Sequence, residues 1–171
     1  MTTEEFKSEV MPVKNKLYRF ALRLLGNSEE ASDVVQEILI RLWSKRENLR
    51  EYRSIEAFAM TMTRNLCFDK LKSPASKKEI FDESREMPDN RTPYSETELS
   101  DTMKVVRMAM DALPEQQRMV IHLRDIEGCD FDEIAEVTGL SLNNVRVNLS
   151  RARKKIRDTL IKINNYEFSK N

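Results

Sequence analysis

Glycine is scarce in this chain, three of 171 residues, and β-branched runs are short, whereas Leu, Met, Glu, Lys, Arg and Ala abound. Few turn-forming residues beside many straight-chain helix formers argue for an all-α protein. Cysteine and histidine are scarcer still: Cys67 and Cys129 stand apart with no CxxC spacing, and His122 is the one histidine. A disulfide framework and a zinc site are therefore both excluded, no metal or other cofactor is expected, and His122 reads as structural. No apolar run approaches the roughly 18 residues of a membrane span. The N-terminus is acidic and polar rather than a signal sequence, so the chain reads as cytoplasmic, without membrane insertion. Net charge is absent too, 29 basic against 29 acidic residues, so total charge says nothing about nucleic acid.

The distribution of charge says more. From Asp125 to Glu136 there are six acids and no Lys or Arg. Directly after them, between Asn143 and Arg157, come six cations and no acid: Arg146, Arg151, Arg153, Lys154, Lys155 and Arg157. That run lies in the stretch Phe131 to Arg157, which reads as two helices joined by a tight turn. Ile134, Ala135 and Val137 form the inward side of the first. Gly139 supplies the residue able to take positive φ where that helix ends, and Ser141 is a good N-cap for the next. Val145, Leu149, Ala152 and Ile156 then make one buried stripe, with the cations outside it. The pattern is that of a helix-turn-helix whose second helix enters the major groove. Opposite its buried stripe lie Asn143, Val147, Ser150, Arg151 and Lys154, with Asn144 and Arg146 on the shoulders. Val147 offers an apolar contact to a thymine methyl, Asn143 or Asn144 a bidentate pair to adenine, and Arg146 or Arg151 a guanine or phosphate contact.

Toward the N-terminus, Phe6, Val10, Val13, Leu17, Phe20 and Leu24 predict a helix from about Thr3 to Leu25, which Pro12 either bends or truly starts. Gly26 ends it, and Asn27 or Ser28 caps the next, with Glu30 at capping-box spacing from Asn27. This second helix, about Ser28 to Lys45, is expected to bury Ala31, Val34, Val35, Ile38, Leu39, Leu42 and Trp43. Ile40 points directly away from Ala31, among Asp33, Gln36, Glu37 and Ser44. It is either an ordinary exposed apolar residue or the centre of a stripe that docks on another protein. A charged connection containing Tyr52 leads to a helix over Ile55 to Lys72, with Ile55, Phe58, Ala59, Met62 and Leu66 inward. Asp69 falls near that stripe, where a salt bridge would satisfy it.

Residues 73–100 break the periodicity with Pro74, Pro88 and Pro93, and hold seven acids against four bases. They read as a flexible acidic linker between two small helical domains, 1–72 and 101–165. In the second domain Met103, Val106, Met110 and Leu113 mark a helix that stops before Pro114, which takes the first position of a helix burying Met119, Val120, Leu123 and Ile126 and ending at Gly128. Residues from Asn164 onward read as a frayed tail.

Two segments together resemble one family. The run ALPEQQRMVIHLRDIEGCDFDEIAEVTGLSLNNVRVNLSRARKKIR resembles region 4 of bacterial sigma factors; EEASDVVQEILIRLW, followed by IEAFAMTMTRNLCFDKLK, resembles their region 2. Length and layout are similar to the extracytoplasmic-function subfamily of the sigma-70 family, over about Leu17 to Leu160. The resemblance implies a non-enzymatic subunit that binds core RNA polymerase, recognises two promoter elements and aids DNA melting. By position it implies that Asp33, Gln36, Glu37, Ile40 and Arg41 dock on the β′ coiled coil, and that promoter DNA, the β subunit and an anti-sigma factor are further partners. It implies that Tyr52, Arg53, Arg64, Asn65, Lys70 and Lys72 hold the downstream element, and that Asn143, Asn144, Arg146, Val147, Ser150, Arg151 and Lys154 hold the upstream one. The chain departs from the family at Ala59 and Met60, where a Trp-Leu pair is usual, and at Val147 and Asn148, where Ser-Arg is common. The competing class is a helix-turn-helix regulator with a helical dimerisation domain; a DNA-processing enzyme finds no supporting cluster of nucleophile, base or metal ligands.

Overall fold

The computed structural model describes residues 1–73 and 100–170, which fall into two compact units. The expected linker lies outside the described residues except at its two ends. All regular structure in the described residues is helical.

In the first unit, α1 (Thr3–Glu9) opens on a capping box. The Thr2 N–H donates to Glu5 Oε2 at 2.7 Å and the Glu5 N–H to Thr2 Oγ1 at 3.2 Å. That backbone donor, and then Arg50, hold the Glu5 carboxyl below its ordinary range. The long first helix expected from the periodicity is divided: Pro12 lies in a 3-10 turn, Met11–Val13, and α2 (Lys14–Leu25) starts after it. Proline has no N–H to continue the α ladder but fits the first turn of a helix, which is why the break falls there. Gly26, at φ 68°, closes α2. Asn27 is the cap of α3 (Ser28–Ser44), accepting from the Glu30 N–H at 3.0 Å.

Helix α2 packs against both α3 and α4 (Ile55–Lys72). Leu17, Phe20, Val34, Ile38, Leu42, Leu49 and Met60 are fully buried at this junction or beside it. Each such side chain contributes about 1.5–3 kcal/mol by leaving water. Two inward assignments on α3 need correction: Leu39 is half-buried and Trp43 is 37 % exposed, because α2 and α4 cover a narrower arc than the apolar pattern suggested. On α4 the buried set is Ala57, Ala59, Met60, Thr63, Leu66 and Cys67, whereas Ile55, Phe58 and Met62 are half-buried. The inward face is turned from the expected one because small and weakly polar residues pack against α2: Thr63 satisfies its hydroxyl by donating to the Ala59 carbonyl at 2.8 Å. Asp69 is consequently exposed and needs no buried partner.

In the second unit, α5 (Asp101–Asp111), α6 (Glu115–Ile121) and α7 (Phe131–Thr138) all pack against α8 (Leu142–Lys170). Pro114 is the N-cap of α6 rather than its first residue, and its carbonyl accepts from the Arg118 N–H at 2.9 Å. Past Ile121 the helix widens into a π-helical turn, His122–Ile126, marked by Glu127 N–H donating to the His122 carbonyl at 3.1 Å. The extra residue in this turn rotates the side chains beyond it, and Ile126, expected inside, is 45 % exposed. His122 is buried, its Nε2 3.3 Å from Glu127 Oε1. The expected frayed tail is instead helical as far as Lys170. Among the described residues no helix is long and apolar enough to cross a membrane.

Phe20 stands at the α2–α3–α4 junction, so Phe20→Ala is expected to destabilise the first unit by about 3–5 kcal/mol. Urea unfolding followed by far-UV circular dichroism checks this; a loss under about 1 kcal/mol would contradict the packing described.

Candidate functional site

Three surfaces carry the residues singled out from the sequence. On α3, the face turned away from α2 presents Asp33, Gln36 and Arg41 exposed, with Glu37 half-buried. In their midst Ile40 is 66 % exposed. Glu37 and Arg41 form an ion pair one turn apart, so two of these charges already partner each other. The sequence reading missed Trp43. Its ring meets Phe6 edge-on, 5.0 Å between centroids, and carries the Arg46 guanidinium 4.3 Å above it. Three residues from Ile40, it extends the exposed apolar stripe toward the end of the helix. The signal was available in principle, since a tryptophan at the margin of an apolar arc has a second face to present.

The next surface lies on the connection before α4 and along that helix. Tyr52 stacks on Phe58, with centroids 3.9 Å apart and ring planes 14° from parallel, and is still partly exposed. Arg53, Asn65 and Lys72 are exposed, while Lys70 is half-buried. Arg64 is half-buried too, its guanidinium 5.4 Å from the Phe68 ring centre. Ala59 and Met60 are buried in the core, so these two positions offer no stacking face to a base. Also beneath this surface is Cys67, whose thiol burial pushes from 9.0 up to about 12; Glu30 adds to the shift and Lys70 opposes it.

The last surface is the helix-turn-helix. Asp130 caps α7 by accepting from the Glu133 N–H at 2.8 Å. Gly139, at φ 74°, turns the chain, and the Leu140 N–H donates to the Thr138 hydroxyl at 3.3 Å. Ser141 then caps α8 by accepting from the Asn144 N–H at 3.1 Å. These local bonds set the angle of α8, and Val145, Leu149 and Ala152 bury its inner stripe. Outside that stripe, Asn143, Asn144, Arg146, Ser150, Arg151 and Lys154 are exposed and Val147 is half-buried.

Charge counting alone does not separate the cations of α8, but their contacts do. Arg153 reaches back to the π-helical turn and grips Asp125 with two bonds, Nε to Oδ2 at 3.1 Å and Nη2 to Oδ1 at 2.6 Å. That carboxylate holds the guanidinium above its ordinary pKa. Arg146 lies 5.7 Å from the centre of the Phe131 ring. Elsewhere in this unit, α5 and the later part of α8 enclose an open, mainly apolar groove of 480 Å³, lined by Val105, Met108, Ala109, Ala112, Leu113, Thr159 and Ile163 together with the charged Lys155, Asp158 and Lys162.

Comparison with known proteins finds the same two segments. Residues 10–76 match the family Sigma-70 region 2, and residues 103–156 match Sigma-70, region 4. The chain is 30 % identical over 151 residues to the RNA polymerase sigma factor SigV of Bacillus subtilis, covering 87 % of each. It is also 30 % identical over 154 residues to the ECF RNA polymerase sigma factor SigE of Mycolicibacterium smegmatis, where 86 % of this chain spans 58 % of that longer relative. Among solved structures, the sigma factor RpoE, in complex with the anti-sigma factor NepR from Bartonella quintana, has a similar fold. The TM-score is 0.77 at 22 % identity, over 92 % of this chain and 98 % of that one.

The sign of the Cys67 shift is testable. A thiol harder to ionise in the folded than in the unfolded state contributes stability that is intact below pH 9.0 and lost as pH rises toward about 12. Cys67→Val is expected to remove that part of the alkaline slope in denaturation curves. In the folded wild type, iodoacetamide at about pH 8 should leave Cys67 unmodified until denaturant is added; rapid labelling of the folded protein, read by mass spectrometry, would contradict the burial.

Proposed function

We propose how this chain, which belongs to the sigma-70 family and to its extracytoplasmic-function branch, divides the work of a sigma factor between its two units. It binds core RNA polymerase and directs promoter-specific transcription initiation. In this reading the first unit, 1–72, docks on the β′ coiled coil through Asp33, Gln36, Glu37, Ile40 and Arg41, with Trp43 lengthening the apolar centre. The observation that carries it is Ile40: the most exposed apolar residue of α3, ringed by charges that suit a basic or mixed partner. A buried apolar anchor within a polar rim is the usual anatomy of a strong protein contact.

Tyr52, Arg53, Arg64, Asn65, Lys70 and Lys72 hold the non-template strand of the downstream element and so aid melting. The chemistry suits an unpaired strand: cations follow the backbone while an aromatic face accepts a base. With Ala59 and Met60 in the core, Tyr52 is the residue of this set that offers such a face. The second unit, 101–165, reads the upstream element through Asn143, Asn144, Arg146, Val147, Ser150, Arg151 and Lys154, and approaches the β subunit. Residues 73–100, with three more acids than bases, link the two. An anti-sigma factor restrains the protein, and the apolar groove between α5 and α8 supports such a partner in the second unit. The protein acts in the cytoplasm and is not itself an enzyme: it positions DNA and polymerase and makes or breaks no covalent bond.

With purified core polymerase the full chain is expected to yield promoter-specific transcripts. Ile40→Asp is expected to weaken core binding on the order of thirtyfold or more while leaving the circular dichroism spectrum unchanged. Normal core binding by the folded variant would refute the docking stripe, and binding of duplex DNA alone as a dimer at spaced half-sites would favour a conventional regulator.

Within α8, Arg151→Ala is expected to cost about 1–3 kcal/mol of upstream-element binding by the reconstituted holoenzyme if Arg151 reads a base. Arg153→Ala is expected to cost less, because Asp125 already holds that guanidinium. Equal losses in competition binding would show that the ion pair does not withdraw Arg153 from DNA.

A further inference from the structure

Phe131, the first residue of α7, has no role in the docking or DNA-reading sets above. Its ring is nevertheless where two arginines from different elements meet. The Arg124 guanidinium lies over it, 4.8 Å from the centroid, and the Arg146 guanidinium 5.7 Å from it. Arg124 is fixed independently, since its Nη1 donates to the Cys129 carbonyl at 2.9 Å. The ring itself is fixed at the N-terminus of α7, where Asp130 caps the helix, and is half-buried. Arg146, by contrast, is exposed and sits in the second turn of α8, close to the end that leads into the groove of DNA.

We propose that Phe131 is a positioning residue for upstream-element recognition: it holds the Arg146 guanidinium by its face, so that the in-plane N–H edge is already presented to the DNA. This rests on the reading of Arg146 as a DNA contact. Guanidinium stacking on an aromatic ring engages the π face and leaves the planar fork of donors directed outward. A free arginine loses rotamer freedom when it grips a base edge or a phosphate, and an arginine held in place beforehand loses less. The neighbouring Arg153 shows the alternative fate, its fork directed back onto Asp125 rather than outward. The contacts of Phe131 and Asp125 thus sort two arginines that sit seven residues apart on nearly the same side of α8.

The test is a double-mutant cycle in the full chain bound to core polymerase, with promoter affinity measured by competition at fixed salt. Phe131→Leu is expected to weaken promoter binding about two- to fivefold, the range for an exposed cation–π pair, and Phe131→Tyr, which keeps the ring, to bind like wild type. In an Arg146→Ala background, Phe131→Leu is expected to cost nothing further. Thermal melts establish that each variant is folded, and Phe131→Met, which fills the space without a π face, replaces Phe131→Leu if the latter is not. A loss from Phe131→Leu that recurs in full in the Arg146→Ala background, or no loss at all while Arg146→Ala weakens binding, overturns the positioning role alone. Unchanged affinity in Arg146→Ala overturns the DNA contact of Arg146 and, with it, this role.

Discussion

A helix in a unit of only about 70 residues has one apolar stripe to give, and the core must have it. Every outward function of this protein is shaped by that constraint. Helix α3 commits Ala31, Val34, Val35, Ile38 and Leu42 to the interior, so an apolar contact with another molecule has to come from its opposite side, where Ile40 stands. Helix α8 likewise commits Val145, Leu149 and Ala152, and everything it offers to DNA lies on the remaining arc. The two units meet the same limit in the same way: one face of a helix makes the fold possible, and the other is left for recognition.

Charge on the remaining faces is only partly available to partners. Glu37 is paired with Arg41, Arg50 with Glu5 and Glu9, and Arg153 with Asp125. These exposed pairs add little to the stability of the fold, since water screens them. Their larger effect is on geometry and on which charges stay open to a partner. The six cations of the recognition helix are not six equivalent phosphate contacts, because at least Arg153 has a partner already.

The π-helical turn His122–Ile126 is the structural device behind that sorting. By adding a residue to one turn it turns Ile126 outward, directs Asp125 toward α8 and brings Arg124 to Cys129 and Phe131. A regular α-helix through the same residues would have continued the stripe of Met119, Val120 and Leu123 instead.

Most helices, the caps at Asn27 and Ser141 and the side chains that stand outside the buried stripes of α3 and α8 were legible in the chain, since they depend on interactions within a few residues. Gly139 and Ser141 mark the turn, Asn27 marks a cap, and Ile40 is opposite Ala31 whatever the helix packs on. Residues that were misread, among them Leu39, Trp43, Asp69, Ile126, Ile156 and the inward face of α4, share a cause. How wide an arc of a helix is covered depends on neighbours distant in sequence, and the rotation of a stripe depends on turns such as the π turn that no spacing announces. Pairings across long separations were likewise beyond periodicity: Asp125 finds Arg153 only because α8 folds back on the π turn. By itself the sequence determined the all-helical class, the helix-turn-helix and the residue types on its faces, because local propensity and periodicity settle these. Only the tertiary structure decided which arginine is bound to a carboxylate and which is held on an aromatic ring, because that depends on what the fold brings within a few ångströms.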